Sequence, residues 1–307
     1  CDADADRSFG DMELHSRVEE GKPVLELRSD MADATVRGEF LPTRLPDAFR
    51  SVIFSVFPAL SDQVHYAQEE QDFGFDLRLK DTGPLMSMFL PDLQLAPGTT
   101  ASGWFDSRTF DMALDADIPH IAYRGFSGDS VHVIADKTLD VLVFSFRSAR
   151  QRINDSTWIG GLDMTGKAYQ DEMEVSLGWT GSSNGTSGEL NLQGQLNGPR
   201  SIDMDLLPSR LWFGRGAWSN TRTGHLAWND DQVRVDSLEL WNDGQRVLLD
   251  GVVGADAEDA LAFSLDDVRM ENLAPYLPEP ALHGAVGGDG RLFGLLGNSN
   301  EALAGRA

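Results

Sequence analysis

Asp2, Asp4 and Asp6, with Glu13 twelfth in the count from Asp2, reproduce the ligand spacing of a calcium-binding EF-hand loop. In such a loop, alternate oxygens close on the ion and the last glutamate grips it with both of its own. The sixth position is Arg7, where the sharp turn requires glycine, and no helical pattern flanks the segment, so an acidic loop is expected. The six histidines, His15, His65, His120, His132, His225 and His283, are dispersed with no pair at ligand spacing. A zinc site or a Cys/His nucleophile needs such groups to converge. Asp115 with Asp117, and Asp203 with Asp205, are two apart; on a strand each pair lies on one wet face. Glycoside hydrolysis needs carboxylates converging across a cleft, so a carbohydrate-active enzyme is the weakest reading. No nucleophile elbow and no phosphate loop is expected. Trp104, Trp179, Trp212, Trp228 and Trp241, five of the seven tryptophans, fall mostly near strand ends, as packing residues do more often than sugar platforms. The expectation is therefore no catalysis, no metal and no cofactor.

The bulk chemistry narrows the partners. Twenty-five Lys and Arg face 49 Asp and Glu, a net charge of −24, and a surface of that sign repels nucleic acid and anionic headgroups. Hydrophobic residues make up 41% of the chain, enough for a sizeable buried surface and too many for global disorder. The one cysteine, Cys1, rules out an intramolecular disulfide. With Asp2 behind it, Cys1 suits either an acylated first residue or a chain that begins inside a longer protein. No stretch approaches the roughly 18 apolar residues of a membrane-spanning helix.

The elements that must position these residues are read from period two. Asp72-Phe73-Gly74-Phe75-Asp76-Leu77-Arg78-Leu79 puts four apolar side chains on one face, and the alternation recurs over Phe110–Ile118 and Met173–Trp179. Further strands are expected at Glu189–Leu196, Ile202–Leu206, Gln232–Leu240, Arg246–Val253 and Leu261–Leu265. Ser182-Ser183-Asn184-Gly185 and Asn242-Asp243-Gly244 are hairpin signals. One amphipathic helix is expected in the connection at about 44–60, where Phe49, Val52, Ile53, Val56, Phe57 and Leu60 form a stripe. Asp47 is its expected N-cap and Pro58 its stop. Shorter helical turns are expected near Gly83–Leu90 and Glu271–Leu277.

A module repeats. Phe75-Asp76-Leu77, Leu85, Phe89-Leu90-Pro91, Leu95 and Gly103 match Phe263-Ser264-Leu265, Leu273, Tyr276-Leu277-Pro278, Leu282 and Gly290. The offset is 188 at first and 187 from Phe89 onward. Modules at about 73–106 and 261–294, with no linker between, imply one continuous β region over 1–307 that grows by repetition. The fold expected is all-β, an elongated antiparallel sheet rolled into a U-shaped trough, with a few short helices.

The segment Glu271–Gly294, ENLAPYLPEPALHGAVGGDGRLFG, resembles the repeat of TamB-type translocation and assembly proteins of the AsmA-like superfamily. LRSDMADATVRGEF (Leu27–Phe40) and LKDTGPLMSMFLPDLQLAPGTTASGWFD (Leu79–Asp106) do likewise. The resemblance implies a periplasmic trough tethered to the inner membrane that works with an Omp85-type outer-membrane barrel. The processes implied are barrel-protein assembly, protein secretion and phospholipid transport; the anchor and the barrel contacts lie outside this fragment.

The partner expected is the phospholipid acyl chain. The lining expected is Phe73, Phe75, Leu77, Leu79, Phe110, Met112, Leu114, Met173, Val175, Leu177, Val233, Val235, Val247 and Leu249. The alternative is a closed β-sandwich or adhesin-like binding module, in which the same residues form the core; alternation reports only which face is dry.

Overall fold

A computed structural model describes residues 11–41, 44–61, 70–81, 92–123, 125–152, 157–183, 185–213, 216–256, 258–273 and 283–294. Asp2, Asp4, Asp6, His65, the expected turn at Gly83–Leu90 and the repeat positions from Tyr276 to Leu282 lie outside them. The chain is all-β and antiparallel, and it divides into two compact units: residues 1–56 with 63–167, and 57–62 with 168–307.

In the first unit the strands follow one another as a meander. They are β1 (Met12–Glu19), β2 (Lys22–Ser29), β3 (Ala32–Glu39), β4 (Asp72–Leu79), β5 (Leu93–Leu95), β6 (Thr100–Asp106), β7 (Asp111–Tyr123), β8 (Phe126–Thr138) and β9 (Val141–Arg152). Each pairs with the next along the chain, except that β4 passes over β5 to β6 and the short β5 pairs with the far end of β7. β10 (Trp158–Tyr169) follows and crosses the boundary between the units.

The second unit repeats the plan with β11 (Glu172–Trp179), β12 (Gly181–Ser182), β13 (Ser187–Gly198), β14 (Ser201–Leu206), β15 (Arg210–Phe213), β16 (Gly216–Ser219), β17 (Gly224–Asn229), β18 (Gln232–Asn242), β19 (Gln245–Val253), β20 (Ala260–Arg269) and β21 (Ala285–Phe293). Its main ladder runs β11–β13–β14–β17–β18–β19–β20–β21, and the β15–β16 hairpin joins it at β13 and β18.

Turn chemistry sets the register. Glu20 and Gly21 take φ of 50° and 82° between the paired Glu19 and Lys22. Asp243 and Gly244 take 45° and 81° between Asn242 and Gln245, as the sequence signal implies. Two left-handed residues in a two-residue loop match the twist of the strands they join. Phe110 also has a positive φ, 55°, and sits in the turn before β7, so the strand expected to start there starts at Asp111.

The helix in the 44–60 connection is α1 (Leu45–Val56), and a separate 3-10 turn, Pro58–Leu60, follows. Position 47 therefore falls inside the first turn and not at the expected N-cap position; the adjacent Pro46 has no N–H to lose at a helix start. Pro58 ends α1 as expected, but it also opens the next turn. Val52 of α1 packs on Phe73, Phe105 and Met112, with Val36, Phe40, Phe75 and Leu114 around them. The Phe73 ring is 5.7 Å from Phe105 and 6.0 Å from Phe40. A single helical turn, Met270–Leu273, is the described part of the turn expected at Glu271–Leu277.

Where the repeat places a phenylalanine, the next strand supplies a glycine. Phe75 is the ladder partner of Gly103, and Phe263 of Gly290. A Cβ on Gly103 would meet the Ala113 carbonyl oxygen and the Phe75 ring, whereas at Gly198 it would meet nothing. Gly103→Ala is expected to lower unfolding free energy by about 1–3 kcal/mol and Gly198→Ala by no more than ~0.5 kcal/mol, both read from urea titrations followed by tryptophan fluorescence.

Candidate functional site: an apolar sheet face

Directly opposed residues in a ladder share a face, so the register assigns every strand side chain to one of two surfaces. In the first unit, one row runs Leu27, Ala34, Leu77, Ala101, Ala116, Val133 and Phe146. The next runs Leu25, Val36, Phe75, Gly103, Leu114, Ala135 and Phe144. The opposite surface carries Glu26, Thr35, Asp76, Ser102, Asp115, Ile134 and Ser145 in the matching row. Its charges are tied across strands, Arg37 to Asp76 at 3.2 Å and Lys80 to Asp33 at 2.6 Å. Such exposed pairs help fix register and contribute under about 1 kcal/mol each.

The second unit sorts in the same way. Val175, Leu192 and Leu206 stand in one row, Met173, Gly194, Met204, Leu226 and Val235 in another, and Leu240, Val247 and Leu265 in a third. The reverse surface holds Glu174, Gln193, Asp205, His225 and Asp236.

Of the fourteen expected lining residues, Phe73, Phe75, Leu77 and Leu79 of β4 and Met112 and Leu114 of β7 lie on the apolar face of the first unit. Met173, Val175 and Leu177 of β11, Val233 and Val235 of β18, and Val247 and Leu249 of β19 lie on that of the second. Phe110, in its turn, is outside the alternation. Equally placed residues that the alternation does not reveal include Leu25, Leu27, Val36, Phe105, Phe144 and Phe146, on strands where small residues interrupt the apolar face or apolar residues occupy both faces.

Cover decides what such a face can do. Phe73, Phe105 and Met112, beneath α1, are buried, Phe105 at 1% exposure. Val36, Phe75 and Leu114, packed around that cluster, are half-buried, and so are Leu25, Leu27, Leu77, Val133, Phe144 and Phe146 outside it, while Leu79 and Ala116 of the same face are buried. On β1, at the edge of the ladder, Leu14 and Val18 are 61% and 72% exposed. In the second unit Met173, Val175, Leu177, Leu192, Met204, Val233, Val247 and Leu249 are likewise half-buried, whereas Leu206 and Val235 of the same face are buried.

Two short words in the sequence suggest catalysis, contrary to the expectation of no elbow and no phosphate loop. Gly181–Gly185 spells Gly-x-Ser-x-Gly, and Gly161–Lys167 spells Gly-x-x-x-x-Gly-Lys. The first sits at a hairpin between β12 and β13, with Gly185 N–H donating to the Ser182 carbonyl at 3.0 Å and Thr186 N–H to Ser182 Oγ at 2.9 Å, so the strand-to-helix elbow is missing. The second is extended strand within β10, not a loop wrapped on a helix N-terminus.

No protein-family model, curated protein or solved structure matches the chain. No described helix is long and apolar enough to cross a membrane.

A charge placed under α1 has nowhere to go, whereas one placed on the half-buried field reaches water. Phe105→Asp is expected to destabilise by several kcal/mol, and Leu77→Asp to leave the fold intact. The native protein should enhance the fluorescence of N-phenylnaphthylamine, and Leu77→Asp should weaken that signal. Circular dichroism and dye titration check both expectations.

Proposed function

We propose that the chain is a segment of a TamB-type, AsmA-like envelope protein whose apolar sheet face shields and conducts phospholipid tails. One observation carries this reading. In each unit the register gathers apolar side chains strand after strand on one face, and most of that face outside the cluster under α1 is only half-buried, with Leu79, Ala116, Leu206 and Val235 among the buried exceptions. The inner face of a closed sandwich would be buried throughout, as the patch under α1 is. A face of this size needs an apolar cover, and lipid chains supply one.

The chemistry suits a sliding cargo. Each methylene taken from water contributes ~0.8 kcal/mol. Contacts of this kind have no direction, so a tail is held without a preferred resting point. The opposite face, carrying much of the net charge of −24, keeps the sheet soluble and repels anionic headgroups. The same face would also receive alternating apolar segments of outer-membrane proteins, in keeping with assembly or secretion. The reading places the chain in the periplasm, held to the inner membrane and in contact with an Omp85-type barrel through segments outside these residues. It assigns no catalysis.

A photo-crosslinking amino acid at Leu77, Leu114 or Val175 of the intact protein in cells is expected to capture phospholipid. The same group at Thr35 or Asp76, on the charged surface, is expected to capture none. Equal capture from both surfaces, or none from the apolar one, would overturn the lipid reading.

A further inference from the structure

We propose that Asp115, Asp117 and His132 form a binding site for one divalent transition-metal ion of the zinc class on the charged face of the first unit. This site is independent of the apolar face and of the function assigned to it. Asp115 and Asp117 are two apart on β7, and His132 of β8 is the direct ladder partner of Asp117. His132 Nδ1 is 2.8 Å from Asp117 Oδ1 and 3.8 Å from Asp115 Oδ1, and one ligand atom from each residue lies within 4.8 Å of the others. Tetrahedral zinc with bonds of 2.0–2.2 Å sets its donors roughly 3.3–3.5 Å apart. The two distances bracket that spacing, so rotation of the side chains closes the site without moving the backbone.

Charge points the same way. The ladder neighbours of Asp117 and Asp115 on β6 are Thr100 and Ser102, which carry no compensating charge. Arg147, opposite His132 on β9, has its Nε 3.0 Å from Asp163. Among the described residues no Lys or Arg lies within ion-pair distance of either carboxylate. Among the described residues the two carboxyl groups therefore face one imidazole and no fixed cation.

Two of the other histidine pairs act as controls within the fold. His120 with Asp129 at 2.7 Å and His225 with Asp205 at 2.9 Å each meet a single carboxylate. Asp115 and Asp117 also line a concavity of about 840 Å3 on this face, so three protein donors would leave a coordination position open to water or to an anion. One imidazole with two carboxylates selects zinc, cobalt or manganese over the all-oxygen preference of calcium and magnesium.

Titration of the purified chain with Co2+, with Zn2+ as competitor, tests the site. One Co2+ per chain is expected, with visible absorption of tetrahedral cobalt that Zn2+ abolishes. His132→Ala and Asp117→Asn should each weaken binding roughly tenfold or more, while His225→Ala leaves it unchanged. Circular dichroism checks that each variant is folded, and Asp117→Asn, which preserves side-chain shape, carries the comparison should His132→Ala unfold. No saturable Co2+ binding in the parent chain would overturn the proposal. Equal affinity in the parent and the folded variants would do the same.

Discussion

Everything in this structure depends on register. A strand slipped by one residue would turn its apolar side chains into water and its carboxylates onto the greasy face. The two-residue turns at Glu20-Gly21 and Asp243-Gly244 hold their hairpins in place. Longer strands meet a second demand, because twist accumulates and the ladder must bend without exchanging faces. In β18 the pairing with β19 jumps between Val235 and Leu238, and Ser237 takes a φ of 53°. The extra residue changes parity, so Leu238 and Leu240 continue the face begun by Val233 and Val235. β20 does the same between Leu265 and Val268, with Asp267 at a φ of 52°. Bulges here act as phase corrections to the alternation.

The apolar face is not uniform, and its exceptions show where it ends. Lys137 falls on it by register, between Met112 and Leu142, with its side chain 1% exposed. Its Nζ donates to the Leu139 carbonyl at 2.6 Å and lies 3.8 Å from Asp111 Oδ1. Burial pulls the ammonium below the ordinary lysine range, and Asp111 and Asp140 pull it back up. The stem covers apolar surface while the charge reaches the β8–β9 turn, as long cationic side chains do at the margin of an apolar layer. Lys137 thus borders the end of the face that α1 covers.

How much of this was legible follows from how regular each strand is. β4 is read from the sequence with its observed bounds, Asp72–Leu79, because four large apolar residues alternate without interruption. β8 escapes notice because Gly128-Asp129-Ser130 breaks the pattern, with Ser130 at a φ of 50°. β2 and β9 escape because both of their faces carry apolar residues, as Val24 beside Leu25 and Val143 beside Phe144. Tertiary pairing fixes such strands, and no local signal reports it. The lining residues were legible for the same reason as the strands that carry them, and Phe110 was misplaced because a left-handed φ outside glycine is invisible in a pattern. The convergence of Asp115, Asp117 and His132 was illegible altogether, since it arises from the β7–β8 register and from nothing in the spacing of 115, 117 and 132.

The repeated module explains how such a face can be extended. In both copies a phenylalanine lies across from a glycine of the neighbouring strand, and the ring occupies space that a second side chain would need. A glycine in a strand weakens it through backbone entropy and lost packing, and an aromatic ring laid over it recovers part of that loss. The pairing is also directional, because the large residue sits on the earlier strand and the gap on the later one. Each module therefore covers its own return strand and adds a patch of smooth apolar surface. The one-residue slip in the repeat falls between Leu85 and Phe89 in one copy, and between Leu273 and Tyr276 in the other. It falls between the two ladder partners of each copy, and each phenylalanine still meets its glycine. A face built from such pairs accommodates a shift between strands but not within one, where a one-residue slip would reverse the faces.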